Sequence, residues 1–127
     1  MRFFIVMKQL LFVFLGGGLG SVLRFIVSKY AHKYLLIGGF PVGTLLVNLL
    51  GCFLIGVFTS YFFKNQSDMK FLLIAGFCGG FTTFSTFALE NYSLWNSGSY
   101  AMLTIYCLAS VFLGFLAVVI GLQALKF

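Results

Sequence analysis

The sequence predicts an all-α integral membrane protein of four transmembrane helices, forming a single domain over residues 1–127. Three observations predict it. Hydrophobic residues make up 61% of the chain and charged residues 8%, with only two acids, so no water-soluble surface can be assembled from it. Apolar runs fall at roughly 3–27, 42–63, 69–95 and 100–125, each long enough for the ~20 residues that cross a ~30 Å hydrocarbon core. The connections between the runs are too short to hold a soluble domain.

The first span opens on Arg2 and Lys8, a start that also fits a leader peptide. Arg24 and the glycines of GGGLGS instead extend it as a packing helix. Within it Gly17, Ser21, Arg24 and Ser28 step by four, three and four and share one face. Lys29, His32 and Lys33 are expected in the first connection. In the second span Thr44, Asn48 and Cys52 step by four, with Gly51 beside them. Lys64, Asn65, Gln66, Ser67 and Asp68 form the next connection.

The third span runs for about 27 residues, or roughly 40 Å as a straight helix at 1.5 Å per residue, so it must tilt, bend or break. It contains GGFTTFSTF, Gly79 to Phe87. Glycine lowers helix propensity by about 1 kcal/mol relative to Ala, and paired threonines divert backbone bonds to their side chains. A break is expected in this stretch. Asn96 to Ser99 lead into the fourth span, where Tyr106, Ser110 and Gly114 step by four and Gly121 continues the face.

Basic residues are divided five to three between the two membrane sides. Arg2, Lys8, Lys64, Lys70 and Lys126 fall on one, and Arg24, Lys29 and Lys33 on the other. That imbalance is weak under the positive-inside rule and would put both termini in the cytoplasm. The net charge of +6 suits headgroup anchoring and would also draw an anion to a pore mouth. Cys52, Cys78 and Cys107 all lie inside spans at spacings that match no metal pattern. No nucleophile stands with a base and no cofactor loop is present, so an enzyme is not expected.

Polar groups inside the bilayer are costly unless they find partners or face water. For the glycine stripes, helix packing is the plainer reading. Asn48 has more hydrogen-bonding positions than a helical neighbour can fill, which points to a polar network or a wet cavity. A helix broken at mid-membrane exposes carbonyls that can hold a cation and amides or hydroxyls that can hold an anion. Phe84 and Phe87, three apart, can offer their positive ring edges to a small anion. The residues alone make the stretch a candidate ion site of unresolved sign.

GFCGGFTTFSTF (Gly76 to Phe87), with GGGLGSVLRF, PVGTLLVNLLGCFLIG and the Tyr106/Ser110 pair, closely resembles the Fluc (CrcB) family of small bacterial fluoride channels. The likeness covers essentially the whole chain. It implies a dual-topology antiparallel homodimer in the bacterial plasma (inner) membrane, with two passive fluoride pores conferring fluoride resistance and no nucleic-acid partner. It also implies a structural Na+ at the dimer centre, held by the backbone carbonyls of Gly79 and Thr82. By the same likeness Asn48, Phe84, Phe87, Tyr106 and Ser110 line the pores, the hydroxyls of Thr44, Thr83 and Ser85 add donors, and Arg24 sits in the vestibule. Two competitors remain: a proton-coupled transporter, for which Glu90 is the available intramembrane acid, and a non-conducting structural subunit.

Overall fold

The structure is a computed structural model describing residues 1–34 and 38–126. Its elements are α1 (Arg2–Tyr34), α2 (Val42–Lys64), α3, α4 (Ser85–Asn96) and α5 (Tyr100–Ala124). α3 consists of a π-helical stretch, Phe71–Cys78, continued by the α-helical turn Gly79–Phe81. Four segments are long and apolar enough to cross a membrane: α1, α2, α3 with α4, and α5. The described residues form no strand. This is a multi-pass helical membrane protein.

Three of the four expected spans match the observed helices to within two residues. The first does not. α1 runs on to Tyr34, so Lys29, His32 and Lys33 lie on its last turns rather than in a connection. At 33 residues and 1.5 Å per residue it is about 50 Å long, well beyond the hydrocarbon core, so its ends stand in the headgroup region. There water satisfies charged side chains, and cations meet the partial negative charge of a helix C-terminus. Charge therefore need not end the helix.

Glycines set the packing. An added Cβ on Gly56 would overlap Val118 O of α5, and one on Gly121 would overlap Phe53 O of α2, so these two backbones touch directly. Gly114 meets Cys52 Sγ further up the same pair. Because early α2 residues meet early α5 residues and late meet late, the two helices run parallel. α1 and α3 pair likewise: an added Cβ would overlap Leu72 O at Gly16, Phe77 O at Gly20 and Gly17 O at Gly80. Packing is thus the role of most glycines in the expected stripes.

Parallel pairing fixes the ends. The start of α1 and the C-termini of α2 and α5 share one face of the membrane, where Lys8 pairs with Asp68 at 3.2 Å. Arg24, His32, the start of α2 and the end of α4 lie toward the other. The α4–α5 turn closes with Gly98 at φ +77°, a left-handed position that suits glycine, while Ser99 N–H reaches back to Leu94 O at 2.9 Å. Val47 and Tyr106 are fully buried between helices, whereas Phe14, Phe25, Phe112 and Phe115 lie outward, as lipid-facing side chains should.

Candidate functional site

The third span is interrupted at Thr82, Thr83 and Phe84, three residues that belong to no helix. The glycines before them are not the break. Gly79 is helical at φ −63°, ψ −38°, and Gly80 is needed for contact with Gly17. The threonines end the helix instead. Thr82 turns extended at ψ 158°, and its hydroxyl donates to Cys78 O at 2.9 Å. Thr83 Oγ1 then accepts the Thr86 N–H at 3.2 Å, which caps the first turn of α4.

Other helices satisfy part of the exposed backbone. The Thr83 N–H donates to Asn48 Oδ1 at 2.8 Å, and Asn48 Nδ2 donates to Thr83 O at 3.0 Å, so the amide of α2 takes the place of a lost helical turn. Gly80 O accepts from Arg24 Nε at 3.0 Å, with Ser21 Oγ at 3.5 Å. The carbonyls of Gly79 and Thr82 have no such help. Their helical donors, the N–H groups of Thr83 and Thr86, are bonded to Asn48 Oδ1 and Thr83 Oγ1, and no donor among the described residues replaces them. Two hard neutral oxygens are left bare near the middle of the span, a donor set that fits a cation such as Na+.

Two clefts open at the break. The larger, about 570 Å³, is lined by Asn48, Gly79, Thr82, Thr83, Phe84, Phe87 and Ser110 among others. Among the described residues no charged side chain lines it. The Phe84 and Phe87 rings lie 5.8 Å apart between centroids, and Phe87 packs 4.9 Å from Tyr106. Phe84 is 79% exposed, and Ser110 Oγ is buried with no partner among the described residues. The second cleft, about 280 Å³, is lined by Arg24, His32, Thr44, Thr83, Thr86 and Glu90 among others. Thr83 belongs to both.

A family model described as "CrcB-like protein, Camphor Resistance (CrcB)" matches residues 11–122. The chain belongs to the CrcB family. Several curated relatives bear the name fluoride-specific ion channel FluC. That of Phocaeicola vulgatus is 48% identical over 119 residues, covering 91% of this chain and 97% of the relative. That of Azobacteroides pseudotrichonymphae is 44% identical over 119 residues, covering 91% and 94%. One from Rhizobium etli is 46% identical over 123 residues, covering 94% and 98%.

The fold of this CrcB chain gathers most of the residues singled out in its sequence but divides them between the two clefts. Asn48, Thr83, Phe84, Phe87 and Ser110 stand together in the larger. Thr44 and Arg24 belong to the smaller. Tyr106 lines neither and is fully buried, its hydroxyl donating to Glu90 Oε1 at 3.0 Å. Ser85 also lines neither; its hydroxyl lies on the exposed start of α4, 3.5 Å from Thr83 Oγ1.

Glu90 is more central than its sequence position suggested. Thr44 Oγ1 donates to its second oxygen at 2.9 Å, so one carboxylate ties α2 and α5 to α4. Thr86 and Glu90 are four apart on α4, a spacing that could have flagged the shared face. Nothing in the sequence pairs Glu90 with residues 46 and 16 positions away. His32 was likewise expected in a connection, whereas it reaches the smaller cleft from the last turns of α1.

Proposed function

We propose that the chain is a fluoride-selective channel that carries fluoride out of the bacterial cell passively and electrogenically, as an antiparallel homodimer in the plasma membrane. The larger cleft carries this reading. It presents neutral donors and aromatic edges at membrane depth, with no fixed charge to trap an anion. Relatives sharing 44–48% of the sequence are named for fluoride.

Fluoride is small and strongly hydrated, so a pore has to replace its water with close donors while holding it weakly at each site. The Asn48 amide commits one N–H to Thr83 O and has a second to offer. The Ser110 hydroxyl has no partner among the described residues, and the Phe84 and Phe87 edges extend the path. Arg24 at the smaller cleft raises the local concentration of anions at a mouth. Fluoride that enters a cell as the neutral acid and dissociates inside would leave by this route.

A second copy of the chain supports the same reading. A cleft with bare carbonyls cannot face lipid, because each unsatisfied polar group costs several kcal/mol in hydrocarbon. An added Cβ on Gly79 meets nothing within 4 Å, which leaves room for a partner at the break. Opposed insertion of two copies agrees with the weak five-to-three charge imbalance. Two pores per dimer follow from its symmetry. The carbonyls of Gly79 and Thr82 from each copy would hold one Na+, whose charge offsets the repulsion between carbonyl dipoles brought face to face.

The test is purified protein in liposomes loaded with potassium fluoride, a fluoride electrode outside, and valinomycin added to balance charge. Efflux that requires valinomycin, fails for chloride and collapses in Phe84→Ile supports the channel. Efflux that proceeds without valinomycin and follows a proton gradient would replace it with coupled exchange through Glu90. No efflux from folded, reconstituted protein would leave a structural subunit.

A further inference from the structure

A third cavity, about 370 Å³, lies where the C-terminal ends of α2 and α5 fork beyond the Gly56–Gly121 contact. It is lined by Thr59, Ser60, Phe63, Lys64, Gln123 and Lys126, together with Leu122. It belongs to neither cleft at the break and lies at the opposite membrane face from Arg24. The polar residues of that lining are two lysines, a threonine, a serine and a glutamine. None of the five makes a side-chain hydrogen bond or ion pair among the described residues; Lys8 and Asp68 form the ion pair at this face.

Neither lysine has an acidic side chain to pair with among the described residues. The two acids are Asp68, bonded to Lys8 at 3.2 Å, and Glu90, held by Thr44 and Tyr106. Among the described residues Lys64 and Lys126 are thus open to a counter-ion from outside. Its chemistry follows from the lining: an oxyanion with several acceptor oxygens, able to take two ammonium groups and the adjacent hydroxyl and amide donors together. The apolar flank decides its source. Phe63 is 83% exposed beside the cations, and Leu122 lines the same cavity, so apolar surface continues from the charged pocket into the bilayer.

We infer that this cavity binds the phosphodiester headgroup of an anionic phospholipid, with the acyl chains lying along Phe63 and Leu122. Basic pockets between the ends of membrane helices are suited to such headgroups. A soluble phosphate would leave the apolar flank bare to no benefit. The site shares no lining residue with either cleft at the break.

Native mass spectrometry of the purified full-length protein, released from micelles doped with equal amounts of phosphatidylglycerol and phosphatidylcholine, tests it. The wild type should retain phosphatidylglycerol in preference, and Lys64→Gln/Lys126→Gln should lose about thirtyfold of that preference, two lysine contributions at a membrane surface. Lys29→Gln/Lys33→Gln, at the opposite face, should keep it. Should the double variant retain the wild-type preference, or should both pairs lose it equally, the site is wrong. Glycerol phosphate displacing the lipid at equal concentration would also overturn the inference in favour of a free phosphate site. Melting curves of each variant confirm that the comparison is between folded proteins.

Discussion

Replacing Asn48 with alanine should weaken the whole fold as well as the cleft. The amide makes two bonds to one residue, accepting the Thr83 N–H at 2.8 Å and donating to Thr83 O at 3.0 Å. Asn48→Ala removes both and leaves an N–H and a C=O of the interrupted span without partners. A polar group stranded in an apolar interior costs about 1–3 kcal/mol. Interhelical side-chain bonds in membranes average only about 0.6 kcal/mol, because released groups find other partners. This cleft is open and admits water, so about 1 kcal/mol per bond, or about 2 kcal/mol in all, is the expected loss. The assay is unfolding in mixed micelles followed by fluorescence of Trp95, the single tryptophan, near the end of α4. Thr83→Ala is the control: it keeps the backbone groups that Asn48 binds and loses the Thr86 cap, worth about 1 kcal/mol, with the exposed 3.5 Å contact to Ser85 Oγ. If Asn48→Ala unfolds within about 0.5 kcal/mol of the wild type, the amide is not a clamp on the break, and the account of how the interruption is stabilised fails.

Further outcomes follow from other contacts. Gly56→Leu should separate α2 from α5 and cost at least 1–3 kcal/mol by overpacking, seen in the same unfolding assay. Gly79→Leu should leave the helical content of the single chain intact, since nothing lies within 4 Å, yet shift the proposed dimer to monomer in sedimentation. Arg24→Gln should slow fluoride efflux several-fold at low ionic strength, and the difference should close at high salt as screening replaces the lost charge. Lys8→Ala should change stability by less than about 1 kcal/mol, because both partners of its ion pair with Asp68 are more than half exposed.

Much of this arrangement was legible in the sequence because the membrane restricts what a polar residue can mean. Spans two to four were readable from apolar length alone. The break falls within the expected nine residues, and of the two pairs expected to cause it only the threonines end the helix. Gly79 and Gly80 have weak helix propensity, yet they remain helical because α1 packs against that turn. Thr82 and Thr83 divert their hydroxyls to the backbone, and that ends the helix. The end of α1 was missed because charge marks where the hydrocarbon stops, while a helix can continue into water. Glu90 could be found, but its bonds to Thr44 and Tyr106 could not, since they join three helices through one carboxylate. Ser85 looked equivalent to Thr83 in composition. Only the direction in which α4 leaves the break puts it outside the clefts.

The interruption in the third span also bears on how the chain enters a bilayer. A continuous apolar helix arrives with its backbone already bonded and can wait alone in lipid. This one cannot, because its Gly80 carbonyl is met by Arg24 of α1 and both backbone groups of Thr83 are met by Asn48 of α2. Those helices precede it in synthesis. When the third span emerges, the groups that complete it are already in the membrane, and its insertion is coupled to docking on them. Damage to Asn48 or Arg24 would then be felt first as a span that hesitates at the insertion machinery, before any question of permeation arises.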